Sequence, residues 1–391
     1  MRVIIHRGTH QIGGVATEIC TSSARILIDM GDELGLEDGF IPTPLSVPGV
    51  TDANGSCDAV LFTHNHADHV GQLISIRDEI PLYMGGLAKD ILQFTTPSAN
   101  ARFSSRIKHA KTFIPGERFQ ISDMFITPFS VDHSACDSYM FLIEAEGKRI
   151  LHTGDFRLHG FRGKAIPKIL EKIIGKSDVL ITEGTTLSRP DTQPMAEQEL
   201  QQKVKACLEQ YKYVFVLCAS TNLERICALS KSVPQGKYFI CDEYQDKLLD
   251  LLHQHWGDYS SLYRNIKKTV YGENLLPKFR ETGFLMMVRD NRKFRKIIRS
   301  FNPEQSIILY SMWDGYRTSS NSRIPDFLSL AGQWEPLHTS GHASANDIKL
   351  VIEKSNPDVI IPIHTDSPTL MQTLCPGKRI VLLEDKEEFR I

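Results

Sequence analysis

Between residues 64 and 69 the chain reads His64-Asn65-His66-Ala67-Asp68-His69, three imidazoles and a carboxylate within six residues. Titratable side chains at that density are costly to pack and well suited to grip a cation, because imidazole nitrogens and carboxylate oxygens are the donors that zinc and neighbouring first-row ions take. The apolar run before them, Ala59-Val60-Leu61-Phe62-Thr63, is too short for a globular helix and predicts a buried strand. In an extended segment residues two apart point the same way, so His64 and His66 can face one ion, while Asp68 and His69 open the next helix and can face a second. Further His and Asp residues stand at or near the ends of strand-like runs: Val131-Asp132-His133-Ser134, Leu151-His152-Thr153-Gly154-Asp155-Phe156 and Ile361-Pro362-Ile363-His364. Rigid elements that end together collect a site from distant parts of a chain.

Taken in order, these segments resemble the metallo-β-lactamase superfamily. Leu180-Ile181-Thr182-Glu183, together with His338-Thr339-Ser340-Gly341-His342-Ala343-Ser344, resembles the additional motifs of its β-CASP branch, the ribonuclease J-like nucleases. The resemblance runs from Asp29, in Leu27-Ile28-Asp29-Met30-Gly31, to His364. It implies an α/β chain built as a metallo-β-lactamase αββα sandwich with an inserted α/β β-CASP cassette. It also implies two zinc ions, with manganese as the alternative: His64, His66 and His133 on one, Asp68, His69 and His364 on the other, Asp155 bridging them. Asp29 would orient a ligand, although an Asp ending a strand before a Gly turn is also an ordinary turn residue. His152, three residues before Asp155 and on the strand itself, is expected to be buried rather than to ligate.

The activity implied is phosphodiester hydrolysis of nucleic acid, single-stranded RNA foremost, by a metal-bridging hydroxide at a centre that includes Asp68. His342 would protonate the leaving 3′ oxygen and Glu183 would hold that imidazole, giving a 5′-phosphate and a 3′-hydroxyl. Ser344-Ala345-Asn346-Asp347 carries a capping-box pattern. A helix start there makes Ser340, Gly341 and Ser344 candidate contacts to substrate phosphate. The alternative is a metallo-hydrolase of small esters, lactones or thioesters, which would use the same ions but has less need of an insert or a leaving-group acid. Three features depart from ribonuclease J: Thr365-Asp366 stands where Gly-Glu follows the last His, the carboxy-terminal domain of that family is not among these residues, and the net charge is slightly acidic.

The elements that must position these groups are legible as periodicities. Up to about residue 190, short apolar strands alternate with Gly or polar turns: Val3 to Ile5, Ala16 to Cys20, Arg25 to Asp29, Val60 to Thr63, Met140 to Glu144, Arg149 to His152 and Val179 to Glu183. Helical patterns lie near Gly71 to Arg77 and Ala165 to Ile174. Thereafter helices alternate with buried-strand runs at Val214 to Leu217, Tyr238 to Cys241, Phe284 to Val288 and Ser306 to Tyr310, which predicts a parallel sheet. Thr221-x-x-Glu224 predicts a capping box. The division expected is 1–190 for the first part of the sandwich, 191–335 for the cassette and 336–391 for the return, ending on a strand from Arg379 to Leu383. Within the cassette, Arg289, Arg292, Lys296 and Arg299 recur at helical spacing, opposite Phe294, Ile297 and Ile298.

Composition sets wide bounds. At 391 residues the chain is long for one core and predicts two. Lys plus Arg at 45 against Asp plus Glu at 47 gives a formal charge of −2, so no global basic field announces a nucleic-acid partner. Eight scattered cysteines without a Cys-x-x-Cys pair read as reduced, packed thiols, and no apolar run approaches the roughly 20 residues of a membrane span. The expectation is a cytoplasmic protein with no membrane partner; its oligomeric state is left open.

Overall fold

The computed structural model describes residues 1–35, 39–97, 100–189 and 194–391. The chain divides into two units, one of residues 1–35, 41–193 and 341–391, the other of residues 36–40 and 194–340. The expected boundary at 190–191 lies outside the described residues.

In the first unit a seven-stranded sheet has the order Glu388–Arg390, Arg2–Arg7, Ala16–Cys20, Arg25–Ile28, Ala59–Leu61, Leu82–Met84 and Lys111–Thr112. A six-stranded sheet has the order Val359–Ile363, Val179–Glu183, Lys148–His152, Ser138–Ala145, Met124–Val131 and Phe119–Ile121. Period-two alternation decides which face each residue takes. Ile5, Ile19, Ile26 and Ile28 from the first sheet meet Ile126, Ile143, Ile150, Ile181 and Ile361 from the second in one shared core. The intervening residues point the other way: Leu27 and Val60 pack with Ile107 and Leu92 of two covering helices, while Leu151, Leu180 and Ile360 pack with Ile348, Val351 and Ile352 of helix Ala345–Ser355. The result is helix, sheet, sheet, helix, the sandwich expected.

Strand direction explains why the site residues share one end. Arg25–Ile28 and Ala59–Leu61 are parallel, as are Lys148–His152, Val179–Glu183 and Val359–Ile363. Met124–Val131 runs the same way as Lys148–His152, because each is antiparallel to Ser138–Ala145 between them. Asp29, His64, His133, Asp155, Glu183 and His364 therefore all lie on, or just beyond, the carboxyl ends of codirectional strands within their sheets.

The second unit is a six-stranded parallel sheet in the order Thr269–Val270, Tyr238–Cys241, Phe284–Val288, Tyr213–Cys218, Ser306–Ser311 and Gln333–Pro336. It has its own core, in which Phe215, Met286 and Ile308 pack with Phe279, Phe294 and Phe327 from helices.

Three local expectations are corrected. Residues 379–383 form no strand; Ile380 makes a single bridge to Ile360, and the terminal strand is Glu388–Arg390, paired with Arg2–Arg7. Thr221 does not cap a helix: the helix is Leu223–Ser232, its cap position is Asn222, and Glu224 is turned inward onto the Tyr263 hydroxyl. Arg289 lies before helix Arg292–Arg299 and is drawn off its exposed stripe by Asp242 and the Tyr244 ring. Among the described residues no disulfide joins the cysteines, and no helix is long and apolar enough to cross a membrane.

Candidate metal centre

Strand Ala59–Leu61 delivers Phe62, Thr63 and His64 into a tight turn, and the short helix Ala67–Val70 follows at once, so Asp68 and His69 return to the place where His64 ends. The close approach depends on Gly31, where an added Cβ would sit 1.6 Å from the Asp68 carbonyl oxygen. Asp29 and His364 are held at φ values of 61° and 52°, in the left-handed region that non-glycine residues seldom enter, a strain typical of functional positions.

The carboxylate of Asp155 is the hub. Its Oδ2 lies 3.2 Å from His69 Nε2, 3.5 Å from His342 Nδ1, 3.7 Å from His364 Nε2, 3.9 Å from His133 Nε2 and 4.0 Å from His64 Nε2. Around it the donor atoms fall into overlapping sets within 4.8 Å of one another: His64, His66 and His133; His64, His69 and Asp155; Asp68, His69 and His364; His133, Asp155 and His342. His66 enters through Nδ1, 3.2 Å from His133 Nε2, and Asp68 Oδ2 lies 3.2 Å from His364 Nε2. All seven predicted ligands thus meet in one place.

The remaining ring nitrogens are anchored from outside. His69 Nδ1 lies 2.8 Å from Asp29 Oδ2, His364 Nδ1 2.7 Å from Thr185 Oγ1, His133 Nδ1 2.6 Å from the Gly341 carbonyl and His64 Nδ1 3.1 Å from Thr63 Oγ1. Asp29 is itself fixed by the Thr63 amide and hydroxyl, at 2.7 and 2.8 Å. A ring held at one nitrogen presents the other in a set direction, the arrangement by which proteins aim imidazole at a metal. His64 Nε2 is buried with no hydrogen-bond partner. A buried donor–acceptor atom costs free energy unless something meets it, and a cation would meet this one. The donor set therefore fits a bound metal.

Electrostatics divides the imidazoles. Burial, followed by the neighbouring rings, pushes His64 and His133 well below the ordinary histidine range, and burial takes His66 down to about 4. These rings are neutral, the state a ligand needs. Burial also opposes charge on His69 and His342, but carboxylates outweigh it. Asp155, Asp29 and Asp68 hold His69 well up, while Glu183 and Asp155 push His342 up to about 9. Asp155 is buried too, yet His364, His69 and His342 keep it well below the carboxylate range.

His342 Nδ1 also lies 3.0 Å from Glu183 Oε2, and Glu183 Oε1 accepts the Phe156 amide at 2.7 Å. Glu183 is thus braced against the residue after the hub, while His342 stays about one-fifth exposed. At the helix start Ser344 and Asp347 form the predicted reciprocal cap, at 3.2 and 3.1 Å, so the Ser344 hydroxyl is engaged by its own helix. Gly341 serves His133 directly: a Cβ there would come 2.5 Å from Ser134 Oγ and 3.3 Å from His133 Cε1. Ser340 is the last residue of the second unit. His152 is buried, taken down to about 4 by desolvation, and accepts the Gly154 amide at 3.1 Å. It packs as expected and does not join the cluster.

Two contributors escaped the sequence reading. Thr185 carries no signal apart from standing two residues beyond Glu183. Asp132 had one, its place beside His133. It is fully buried and binds loop 157–163 through Arg157 Nε at 2.7 Å, the Arg162 amide at 2.6 Å and the Gly163 amide at 3.0 Å, fixing the strand end from which His133 projects.

Comparison with known proteins places the chain among metallo-hydrolases. A model described as "Beta-lactamase superfamily domain" matches residues 24–216, and one described as "Zn-dependent metallo-hydrolase RNA specificity domain" matches residues 330–372. Ribonuclease J of Helicobacter pylori (strain ATCC 700392 / 26695) is 22% identical over 98% of this chain and 60% of its own length. Ribonuclease J of Thermus thermophilus is 22% identical over 84% and 62%, and the transcription termination factor FttA of Methanosarcina mazei 24% over 79% and 51%. The chain spans about 60% of the length of the curated relatives it matches. A solved structure from Enterococcus faecalis V583, titled as a protein of unknown function, superposes with a TM-score of 0.78 over 99% of both chains at 20% identity, the same fold. Fold and site define a member of the metallo-β-lactamase superfamily. The chain also carries a match to an RNA specificity domain and is similar along most of its length to ribonuclease J proteins.

Proposed function

We propose that this chain is a metal-dependent phosphodiesterase that hydrolyses single-stranded RNA, with residues 191–335 as its β-CASP cassette and the cytoplasm as its place of work. The observation that carries this reading is the hub itself: one buried carboxylate oxygen with five imidazole nitrogens at 3.2–4.0 Å. No packing purpose accounts for such a cluster, and a pair of cations does. His64, His66 and His133 would hold one, Asp68, His69 and His364 the other, with Asp155 between them. Zinc suits this nitrogen-rich set, and manganese is the alternative. Cations bound there supply Lewis acidity, which activates water at neutral pH and offsets charge on phosphoryl oxygens.

The chain's own residues do the rest. Glu183 binds His342 at Nδ1, so the proton that His342 can pass to a leaving 3′ oxygen is the one on Nε2. Delivery from that nitrogen leaves a 3′-hydroxyl and a 5′-phosphate. The loop from Ser340 through Gly341 to Ser344 leads into the eleven-residue helix Ala345–Ser355, and a helix start is a setting suited to a substrate phosphate. RNA is favoured over a small ester because the match at residues 330–372 is to an RNA specificity domain and the relatives include ribonucleases.

The test is turnover by the full chain loaded with zinc or manganese, on 5′-labelled single-stranded RNA and DNA and on a chromogenic ester, lactone and thioester. A variant carrying Asp68→Ala and His69→Ala serves as control. RNA cleavage that disappears in the control supports the proposal. Ester turnover without strand cleavage replaces it with the small-substrate hydrolase, and binding without turnover of any substrate refutes catalysis.

A further inference from the structure

Helix Arg292–Arg299 buries Phe294, Ile297 and Ile298 against the second unit's sheet and turns Arg292, Lys296 and Arg299 outward. At i, i+4 and i+7 these three form one stripe about 10 Å long. With Arg295 and Arg323 they line an open groove of about 750 Å³, where Asp290 and Asp326 are the acids. Arg295 is committed to Asp290, at 2.6 and 2.8 Å, and lies over the Phe327 ring. Arg292, Lys296, Arg299 and Arg323 make no ion pair among the described residues. Five cations against two acids, on a chain of net charge −2, is a local concentration rather than a share of general basicity. Solvated helix faces ordinarily interleave the two signs.

Arg323 also lines an adjoining depression with Met312, Tyr316 and Ile324. On the same stretch of the unit three large rings stand in solvent, Trp313 at 40%, Tyr316 at 48% and Trp334 at 39% exposure. Trp313 meets Tyr316 edge to face at 5.4 Å, and Arg317 lies over Trp334 at 5.3 Å. Grouped exposed aromatics mark binding surfaces. Beside a cationic groove they match the chemistry of an unpaired nucleic-acid strand, whose phosphates are met by Lys and Arg and whose bases stack on rings. A duplex offers the phosphates but keeps its base faces inside.

We propose that this face of the second unit is an auxiliary binding site for single-stranded RNA, built by Arg292, Lys296, Arg299 and Arg323 with Trp313 and Tyr316. It deepens the RNA reading above and rests on it. The measurement is fluorescence anisotropy of the full metal-loaded chain with a labelled 2′-O-methyl single-stranded RNA of about 20 nucleotides, longer than one strand-binding module covers. The same sequence as a duplex runs alongside, in titrations from low to moderate salt. Combined Arg292→Ala, Lys296→Ala and Arg299→Ala should weaken single-strand binding about tenfold, and should lower the slope of log affinity against log salt by about 2, three phosphate contacts' worth. Trp313→Ala with Tyr316→Ala should weaken the single strand several-fold and leave the duplex unaffected. These side chains are exposed, and Lys296→Glu alone, with an unchanged melting curve, checks that the loss is not one of folding. If the parent chain binds and cleaves RNA but the triple variant keeps its affinity and slope, this surface is not a site while the nuclease reading stands. If the parent chain neither binds nor cleaves RNA, both fall. Equal losses on single strand and duplex from the aromatic variant would overturn the single-strand assignment.

Discussion

Asp155 is buried and kept ionised by the imidazoles of His364, His69 and His342, and this makes it the hub on which the site turns. Replacement by Asn keeps the shape and removes the charge that His64, His69, His133, His342 and His364 all face. Asp155→Asn should therefore bind fewer metal equivalents by elemental analysis and lose RNA cleavage by at least about a thousandfold. Thr185→Val tests the outer contacts: it removes the 2.7 Å anchor of His364 Nδ1 together with the 3.2 Å bond to the His364 carbonyl, and should weaken metal affinity about 10- to 100-fold in a chelator competition. Glu183→Gln probes the proton. Glu183 is the principal group raising His342, toward about 9 against the opposing effect of burial, and the acid form is lost as pH rises through that value. Without the carboxylate the imidazolium gives up its proton at lower pH. The alkaline limb of the rate profile should move downward, with kcat about a hundredfold lower and metal content unchanged. An unmoved limb would show that His342 is not the proton donor.

The elements that carry these residues were legible to different degrees, for physical reasons. Tyr238–Cys241 and Phe284–Val288 end where the apolar run ends, since a buried parallel strand leaves no polar interruption to blur the limit. Only the end of Met124–Val131 was read, at Val131, because Thr127, Pro128 and Ser130 break its pattern, although Phe125 to Val131 pair with Ser138 to Glu144. Arg379 to Leu383 was misread because an apolar run records burial and not ladder pairing. The seven residues that meet around Asp155 were visible in order and type, and the family resemblance grouped them; Thr185 was not, since nothing in a lone Thr announces its partner, and Asp132 had only its place beside His133 to mark it. One local signal, the cap at Ser344, is directly testable. Ser344→Ala removes the acceptor for the Asp347 amide and should cost about 1 kcal/mol in a denaturant titration. A second tie is electrostatic. Glu18 is buried, yet bonds from His6 at 2.7 Å and Arg25 at 2.5 Å hold it down to about 2 against an ordinary 4.5. A depressed carboxylate stabilises the fold above its unfolded pKa, and the benefit is lost as pH falls through the folded one. Across strands Arg2–Arg7, Ala16–Cys20 and Arg25–Ile28 this amounts to at most about 3 kcal/mol, leaving between pH 4.5 and 2. Glu18→Gln should flatten the acid arm of a stability-against-pH curve in that window.

At the scale of the whole molecule, the proposed metal centre lies in one of the two units, which should therefore respond differently to metal. The first collects His64, His133, Asp155 and His364 from four strand ends and holds two non-glycine residues, Asp29 and His364, in left-handed backbone at the centre. Cations held there would bind the native arrangement and not the unfolded chain, so each would add RT ln(1 + [L]/Kd), about 4 kcal/mol at a thousandfold excess over Kd. The second unit draws its core from Phe215, Met286, Ile308, Phe279, Phe294 and Phe327, and none of the proposed ligands belongs to it. Chelation should therefore be a selective perturbation. Hydrogen exchange followed by mass spectrometry, before and after a strong chelator, should show faster exchange in peptides around residues 62–70, 131–138, 153–157 and 363–365. Peptides covering Tyr213–Cys218, Phe284–Val288 and Ser306–Ser311 should keep their protection, since every strand there is paired on both sides and packed on a core of its own. Restoring zinc should restore the first set alone. Uniform loosening across both sheets would mean that the centre supports the second unit too, and equal protection in both states would mean that the histidine cluster holds no structural metal.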